Sequence, residues 1–179
     1  MSPIPEFFDR YHLPDGEHEC TIEEIENRFL STDARKVVWQ RFQMLIQRII
    51  DLKLVPDILL IDGSFVTGRE EPGDVDSAVL LTQDVITNAL AAADPHDKDG
   101  IMLLLDPTNE RAIRGLFGAH FFVFPDTDGL DIASNLFRNG GNFGSLRDPD
   151  PNRDPSWVIK PPAKGILKVI GGEIQNVCN

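Results

Sequence analysis

The sequence predicts an α/β (α+β) domain, a small mixed sheet flanked by helices, and three observations carry that expectation. An amphipathic stretch over residues 33–53 needs an apolar surface to bury against. Short runs at 58–61, 74–81 and 119–124 have the length and the apolar, β-branched or aromatic content of buried strands. Turn formers and capping residues separate these segments. The three strands are therefore expected to share one sheet, with the 33–53 helix over one face.

Taken in order, residues 1–20 contain Pro3, Pro5 and Pro14 among Phe7, Phe8, Tyr11 and Leu13. Prolines prevent a regular helix while the apolar residues need burial, so an extended arm docked on the body is expected, followed by a single domain over 21–179. Thr21 and Glu24 form a capping-box pattern, and Ile22, Ile25 and Phe29 recur at helical spacing up to about Ser31. In the 33–53 helix, Val38, Phe42, Leu45 and Ile49 form a stripe flanked by Val37, Ile46 and Ile50. Arg35, Gln43, Gln47 and Asp51 lie opposite. Pro56 stops the helix and the first strand begins.

After the second strand, Thr82 caps a helix over 85–93 that Asp94-Pro95 ends. PHDKDG reads as a turn in which His96 is solvated, and residues 101–105 read as a strand. Asp106-Pro107-Thr108 opens a helix that Gly118 closes, and the aromatic strand 119–124 follows, stopped by Pro125. A short helix over 130–137 ends at Asn139-Gly140-Gly141. Residues 146–155, rich in Pro and Asp, read as a surface loop. Trp157-Val158-Ile159 and Ile166 to Ile170 read as two further strands.

At 179 residues the chain is long enough to bury a core, and 41% hydrophobic with 26% charged residues is ordinary for a globular domain. The 29 acidic against 17 basic residues give a formal charge of −12. With no Lys/Arg cluster to offset it, extended nucleic-acid binding and anionic lipid surfaces are disfavoured. Cys20 and Cys178 have no metal-ligand spacing and read as free thiols of a reducing compartment. The N-terminus lacks a signal-peptide pattern and no apolar run reaches membrane-spanning length, so no membrane association and a cytoplasmic location are expected.

The chemistry is concentrated in residues 58–81, ILLIDGSFVTGREEPGDVDSAVLL. The first strand runs into Gly63-Ser64, a loop rich in turn formers follows, and Asp74-Val75-Asp76 enters the next strand. Aspartates two apart on a strand point to one face. Like charges that close repel unless a cation neutralises them, and oxygen-only ligands suit Mg²⁺ or Mn²⁺ rather than zinc. A glycine at a strand end lets backbone approach a phosphate, and exposed amides with a serine hydroxyl bind its oxygens. Arg69, between the two motifs, is the nearest cation for phosphate charge.

The order strand, Gly-Ser, loop, Asp-x-Asp, strand resembles the nucleotidyltransferase superfamily of DNA polymerase β, especially its small stand-alone bacterial members. The N-terminal LPDGEHE-x-T-x-E-E and the Lys164-Gly165-Ile166 ending are also similar to that group. The resemblance implies that Gly63 and Ser64 contact nucleotide phosphates and that Asp74 and Asp76 hold the catalytic metals. It further implies transfer of a nucleotidyl group from ATP or another NTP to a partner protein or RNA, in a toxin–antitoxin or phage-defence setting. Where the superfamily carries a third carboxylate, this chain has His120. Either His120 joins the metal site and weakens it, or Asp126, Asp128 or Asp131 substitutes, or chemistry has been lost. A packed, hydrogen-bonded strand histidine is an equal reading. The competing function is a catalytically degenerate module that senses nucleotide or binds protein. A structural acidic mimic of nucleic acid leaves both motifs unexplained.

Overall fold

The structure, a computed structural model, describes residues 4–9, 11–139 and 163–175. Its centre is a mixed sheet of five strands: β1 (Gly16–Glu19), β2 (Ile58–Asp62), β3 (Val75–Leu80), β4 (Ala119–Phe124) and β5 (Gly165–Ile170), in the order β1-β5-β2-β3-β4. β2 runs antiparallel to both β3 and β5, while β1 with β5 and β3 with β4 are parallel. The three strands expected to share a sheet do so as neighbours.

Period-two alternation divides the strand residues between two faces. Leu59, Ile61, Val75, Val79, Ala119, Phe121, Leu167 and Val169 point into the larger core. That core is closed by α1 (Ile22–Phe29) and α2 (Asp33–Asp51), with α3 (Gln83–Ala92), α4 (Pro95–Leu105) and α5 (Glu110–Phe117) contributing Ala89, Ile101, Leu104 and Ile113. Leu60, Ala78, Leu80 and Ile166 point the other way, against Leu130, Ala133 and Phe137 of α6 (Thr127–Arg138). The short α7 (Gly171–Ile174) completes the described chain.

The Thr21 capping box forms as the pattern predicts, with Glu24 N donating to Thr21 Oγ1 at 3.1 Å and Thr21 N to Glu24 Oε2 at 2.8 Å. On α2 the buried set is Arg35, Trp39, Phe42, Leu45, Ile46 and Ile49, while Val37 is 55% exposed. The expected stripe is thus turned around the axis. Trp39 stacks on Phe65 at 5.3 Å, and Arg35 finds acceptors inside. Each large apolar side chain so buried contributes about 2 kcal/mol.

Two expectations need correction. Pro95–Leu105 form one helix rather than a turn and a strand: Asp94 caps it by accepting from Asp97 N at 2.9 Å, Pro95 takes the first turn, and Ile101 and Leu104 are buried three apart. Exposed His96 lies in its first turn, and no metal-ligating cluster forms around it among the described residues. α6 starts at Thr127, three residues early, because Asp126 caps it by accepting from Gly129 N at 2.8 Å. The N-terminal arm buries Tyr11 and Leu13 as expected, and in addition Gly16–Glu19 become the edge strand β1. Helix α5 begins after a 3-10 turn at Pro107–Asn109. The strand expected at 157–159 and the loop at 146–155 lie outside the described residues. No helix among the described residues is long and apolar enough to cross a membrane.

Candidate functional site

The antiparallel register sets Asp62 opposite Asp76, and the parallel register sets Asp76 beside His120. These three residues share the sheet face on which α6 packs, one step beyond its contacts with Leu60 and Ala78. Asp74, immediately before β3, joins them, since Asp74 and Asp76 line the same two cavities.

Gly63 turns the chain out of β2 with φ 84° and ψ −165°, a conformation open only to glycine, and Ser64 starts a 3-10 turn. A Cβ at Gly63 would stand 2.5 Å from Asp76 Oδ2, so the missing side chain is what lets the Gly-Ser turn lie against the second aspartate. Thr67 Oγ1 donates to Ser64 O at 2.7 Å and closes the turn.

Arg35 fastens this loop from beneath. Its guanidinium donates to the carbonyls of Thr67 at 3.3 Å and Arg69 at 2.5 Å, and to those of Phe65 and Phe29. It is 3% exposed and lies over the Phe29 and Phe65 rings at 5.5 and 5.0 Å. Arg35→Leu leaves these carbonyls unsatisfied, which is expected to cost about 3 kcal/mol of stability. Urea unfolding checks this; an unchanged midpoint would show that Arg35 is not structural.

Two cavities meet at the carboxylates. A polar cleft of about 340 Å³ is lined by Arg41, Arg69, Arg114, Ser64, Asp74 and Asp76, among others. An apolar cavity of about 460 Å³ shares Ser64, Asp74, Asp76 and Arg114 with it and adds Gly63, Asp62, His120 and Lys164. All six residues singled out in the sequence, Gly63, Ser64, Arg69, Asp74, Asp76 and His120, border this pair of cavities. Asp126, Asp128 and Asp131 are exposed on or beside α6 and are not among the described lining residues.

The charges are arranged in pairs with one exception. Arg114 Nη2 lies 2.7 Å from Asp74 Oδ2, and His120 Nε2 lies 3.5 Å from the same oxygen. His120 and Arg114 hold the Asp74 carboxyl below the usual range against the opposing effect of burial. The Asp74 contact raises the His120 pKa against burial, helped by Asp76. Glu110 Oε1 approaches His120 Nδ1 to 2.8 Å but out of line for a hydrogen bond, so that contact is electrostatic. Lys164 pairs with Asp62, both buried. Asp76 is the exception: burial first, then Asp62, then Asp74, push its carboxyl up to about 6.

Three carboxylates on one face suit a hard divalent cation by donor chemistry. As placed, Asp74 and Asp62 answer to Arg114, His120 and Lys164 instead, and no group of three or more His, Cys, Asp or Glu among the described residues is drawn together as a ligand set. A cation would have to displace those partners.

Asp62, Glu110, Arg41, Arg114 and Lys164 were not singled out in the sequence. Asp62 carried a usable signal, an acid ending an apolar strand next to Gly-Ser. Lys164 stood in the Lys-Gly-Ile ending, without a role.

A family model described as a family of unknown function, DUF6932, matches residues 5–146. The chain belongs to this family. The matched stretch contains every residue of the two cavities named above except Lys164. No curated protein and no solved structure matches the chain.

Proposed function

We propose that this DUF6932 protein binds a nucleoside triphosphate with Mg²⁺ or Mn²⁺ at the cleft and transfers a nucleotidyl group to an acceptor hydroxyl, as the resemblance to polymerase β-like nucleotidyltransferases implies. The observation that carries the reading is the convergence of the Gly63-Ser64 turn with Asp62, Asp74 and Asp76 on one sheet face, beside three arginines. The strand order β2-β3-β4, with the turn ending β2 and the paired aspartates opening β3, supports it.

Asp62, Asp74 and Asp76 would hold the cation, which when bound supplies charge neutralisation at the phosphates. The chain's own residues do the rest. Ser64 and the backbone of its turn bind phosphate oxygens, and Arg41, Arg69 and Arg114 offset the negative charge that grows on the departing pyrophosphate. In the transfer the acceptor oxygen forms a bond to the α-phosphorus, the bond to pyrophosphate breaks, and the hydroxyl proton passes to a base. With no cation bound, burial, Asp62 and Asp74 raise the Asp76 carboxyl to about 6; a bound cation would lower it and hold Asp76 as a ligand, so the base that takes the hydroxyl proton is solvent water. The charge of −12 favours a protein over an extended nucleic acid as the acceptor, ATP being the expected donor and a toxin–antitoxin or phage-defence pair the expected setting.

A second reading, a degenerate site that senses nucleotide without transfer, is favoured by one observation. His120 stands where a third carboxylate is expected, and its raised pKa opposes a cation. Calorimetric titration with ATP and GTP, with and without Mg²⁺, tests both. Heat that requires Mg²⁺ together with pyrophosphate release supports transfer. Heat without release supports the sensor, and no heat with either nucleotide overturns both.

A further inference from the structure

We propose that the apolar cavity beside the carboxylates is a nucleobase chamber that holds its base by stacking and apolar contact without reading the base's polar edge, so that nucleotides of all four bases bind alike. This rests on the nucleotide reading above and adds the orientation and the selectivity of the ligand.

The argument is the segregation of the walls. Beyond the shared wall of Ser64, Asp74, Asp76 and Arg114, the polar cleft carries Arg41 and Arg69 against one acid, Glu71, and no apolar side chain among the described residues. Beyond the same wall, the other cavity carries Phe122, Phe124, Ile132, Leu136 and Phe137. A ligand filling both is polyanionic at one end and flat and apolar at the other, with its charge change at the carboxylates between them. Inorganic phosphates leave the aromatic side empty. A nucleoside triphosphate fills both, and about 460 Å³ is within the ordinary range for a small-molecule site.

Apart from Ser64 and Asp76, which stand in the wall shared with the polar cleft, the polar side chains of the apolar cavity have partners within the protein. Thr67 donates to the Ser64 carbonyl, Lys164 pairs with Asp62, Arg114 with Asp74, and His120 stands between Asp74 and Glu110. The wall from Phe122 to Phe137 offers none among the described residues. Discrimination between bases requires hydrogen-bonding groups that are left unpaired by the wrong base, whereas every base has a π-face to stack. Phe122, Ile132 and Leu136 are 38, 67 and 42% exposed, an apolar rim that a bound base would cover.

The test is calorimetric titration of the full chain with ATP, GTP, CTP, UTP and inorganic triphosphate, each with Mg²⁺. The four nucleotides are expected to bind within about threefold of one another, and triphosphate about tenfold or more weaker, the scale of one lost stacking contact. Phe122→Ala and Ile132→Asp, each checked for folding by circular dichroism, should bring nucleotide affinity down towards that of triphosphate and leave triphosphate binding unchanged. Ile132 is a surface position, so at least that variant keeps the fold. A preference of more than about tenfold for one base shows that its edge is read and overturns the inference. So does triphosphate binding as tightly as the nucleotides, which leaves the anion cleft standing. Binding of none of the five overturns the nucleotide reading and this inference with it.

Discussion

Replacing Asp74 and Asp76 together with asparagine is expected to abolish Mg²⁺-dependent nucleotide binding and to lower any transfer by about a thousandfold or more, the scale on which loss of charge-stabilising groups acts. The fold should survive. Asp76 is the less comfortable of the two: its folded pKa, about 6, lies above the ordinary value of 3.8. The folded state therefore holds the Asp76 proton more tightly than the unfolded chain does. The resulting destabilisation is absent well below pH 4, grows as pH rises from about 4 to 6, and is complete above that. At two pK units of roughly 1.4 kcal/mol each, discounted for the open side of the cleft, its removal returns about 2 kcal/mol at pH 8. Against this, Asp74→Asn gives up the contacts of Asp74 with His120 and with the half-exposed Arg114, together a loss of about 1 kcal/mol. The double variant should thus melt at or above the wild-type temperature at pH 8, and the advantage should vanish at pH 4. Nucleotide binding equal to wild type places the site elsewhere on the chain.

Local chemistry explains how much of this was legible in the sequence. The Gly63-Ser64 turn and the Asp-x-Asp pair were readable because their geometry follows from neighbours along the chain: a strand end that requires positive φ, and a period of two that sets both aspartates on one face. The strands at 58–61, 74–81 and 119–124 were readable because they are short, apolar and bounded by turn residues. Helix α4 was not, because PHDKDG carries turn formers in a row and only burial of Ile101 and Leu104 makes the continuous helix the better state. Arg35 was assigned to the solvent side of its helix, since what buries it is a set of carbonyls about thirty residues further on. Lys164 meets Asp62 across 102 positions, and Arg114 meets Asp74 across the β3–β4 neighbourhood. Such partners depend on sheet register, which no local pattern encodes. Thus the sequence pointed to Asp74, Asp76, Arg69 and His120, while Asp62 and the cations Arg114 and Lys164 that pair with Asp74 and Asp62 came from the fold.

His120→Asp is expected to tighten Mn²⁺ binding by about tenfold, because a histidine beside the aspartates becomes a fourth carboxylate on the same face. The strand register sets residue 120 beside Asp76, and Asp74 Oδ2 lies 3.5 Å from its ring, so the new carboxylate would stand at the mouth of the cluster. Without metal the same change costs stability. The folded pKa of His120 is raised above 6.5, so the wild-type histidine contributes stability that is fully present below that value and lost as pH rises through the folded pKa. The variant gives up that contribution and adds repulsion from Asp74, Asp76 and Glu110. Its melting temperature should therefore fall most at pH 6 and least at pH 9, with the loss reversed by Mn²⁺. Titrating both proteins with Mn²⁺ at pH 7.5 and following the melts across this range measures the two effects separately. Equal Mn²⁺ affinities would show that residue 120 lies outside the cation site, and the histidine in place of a carboxylate would then carry no information about whether transfer survives in this protein.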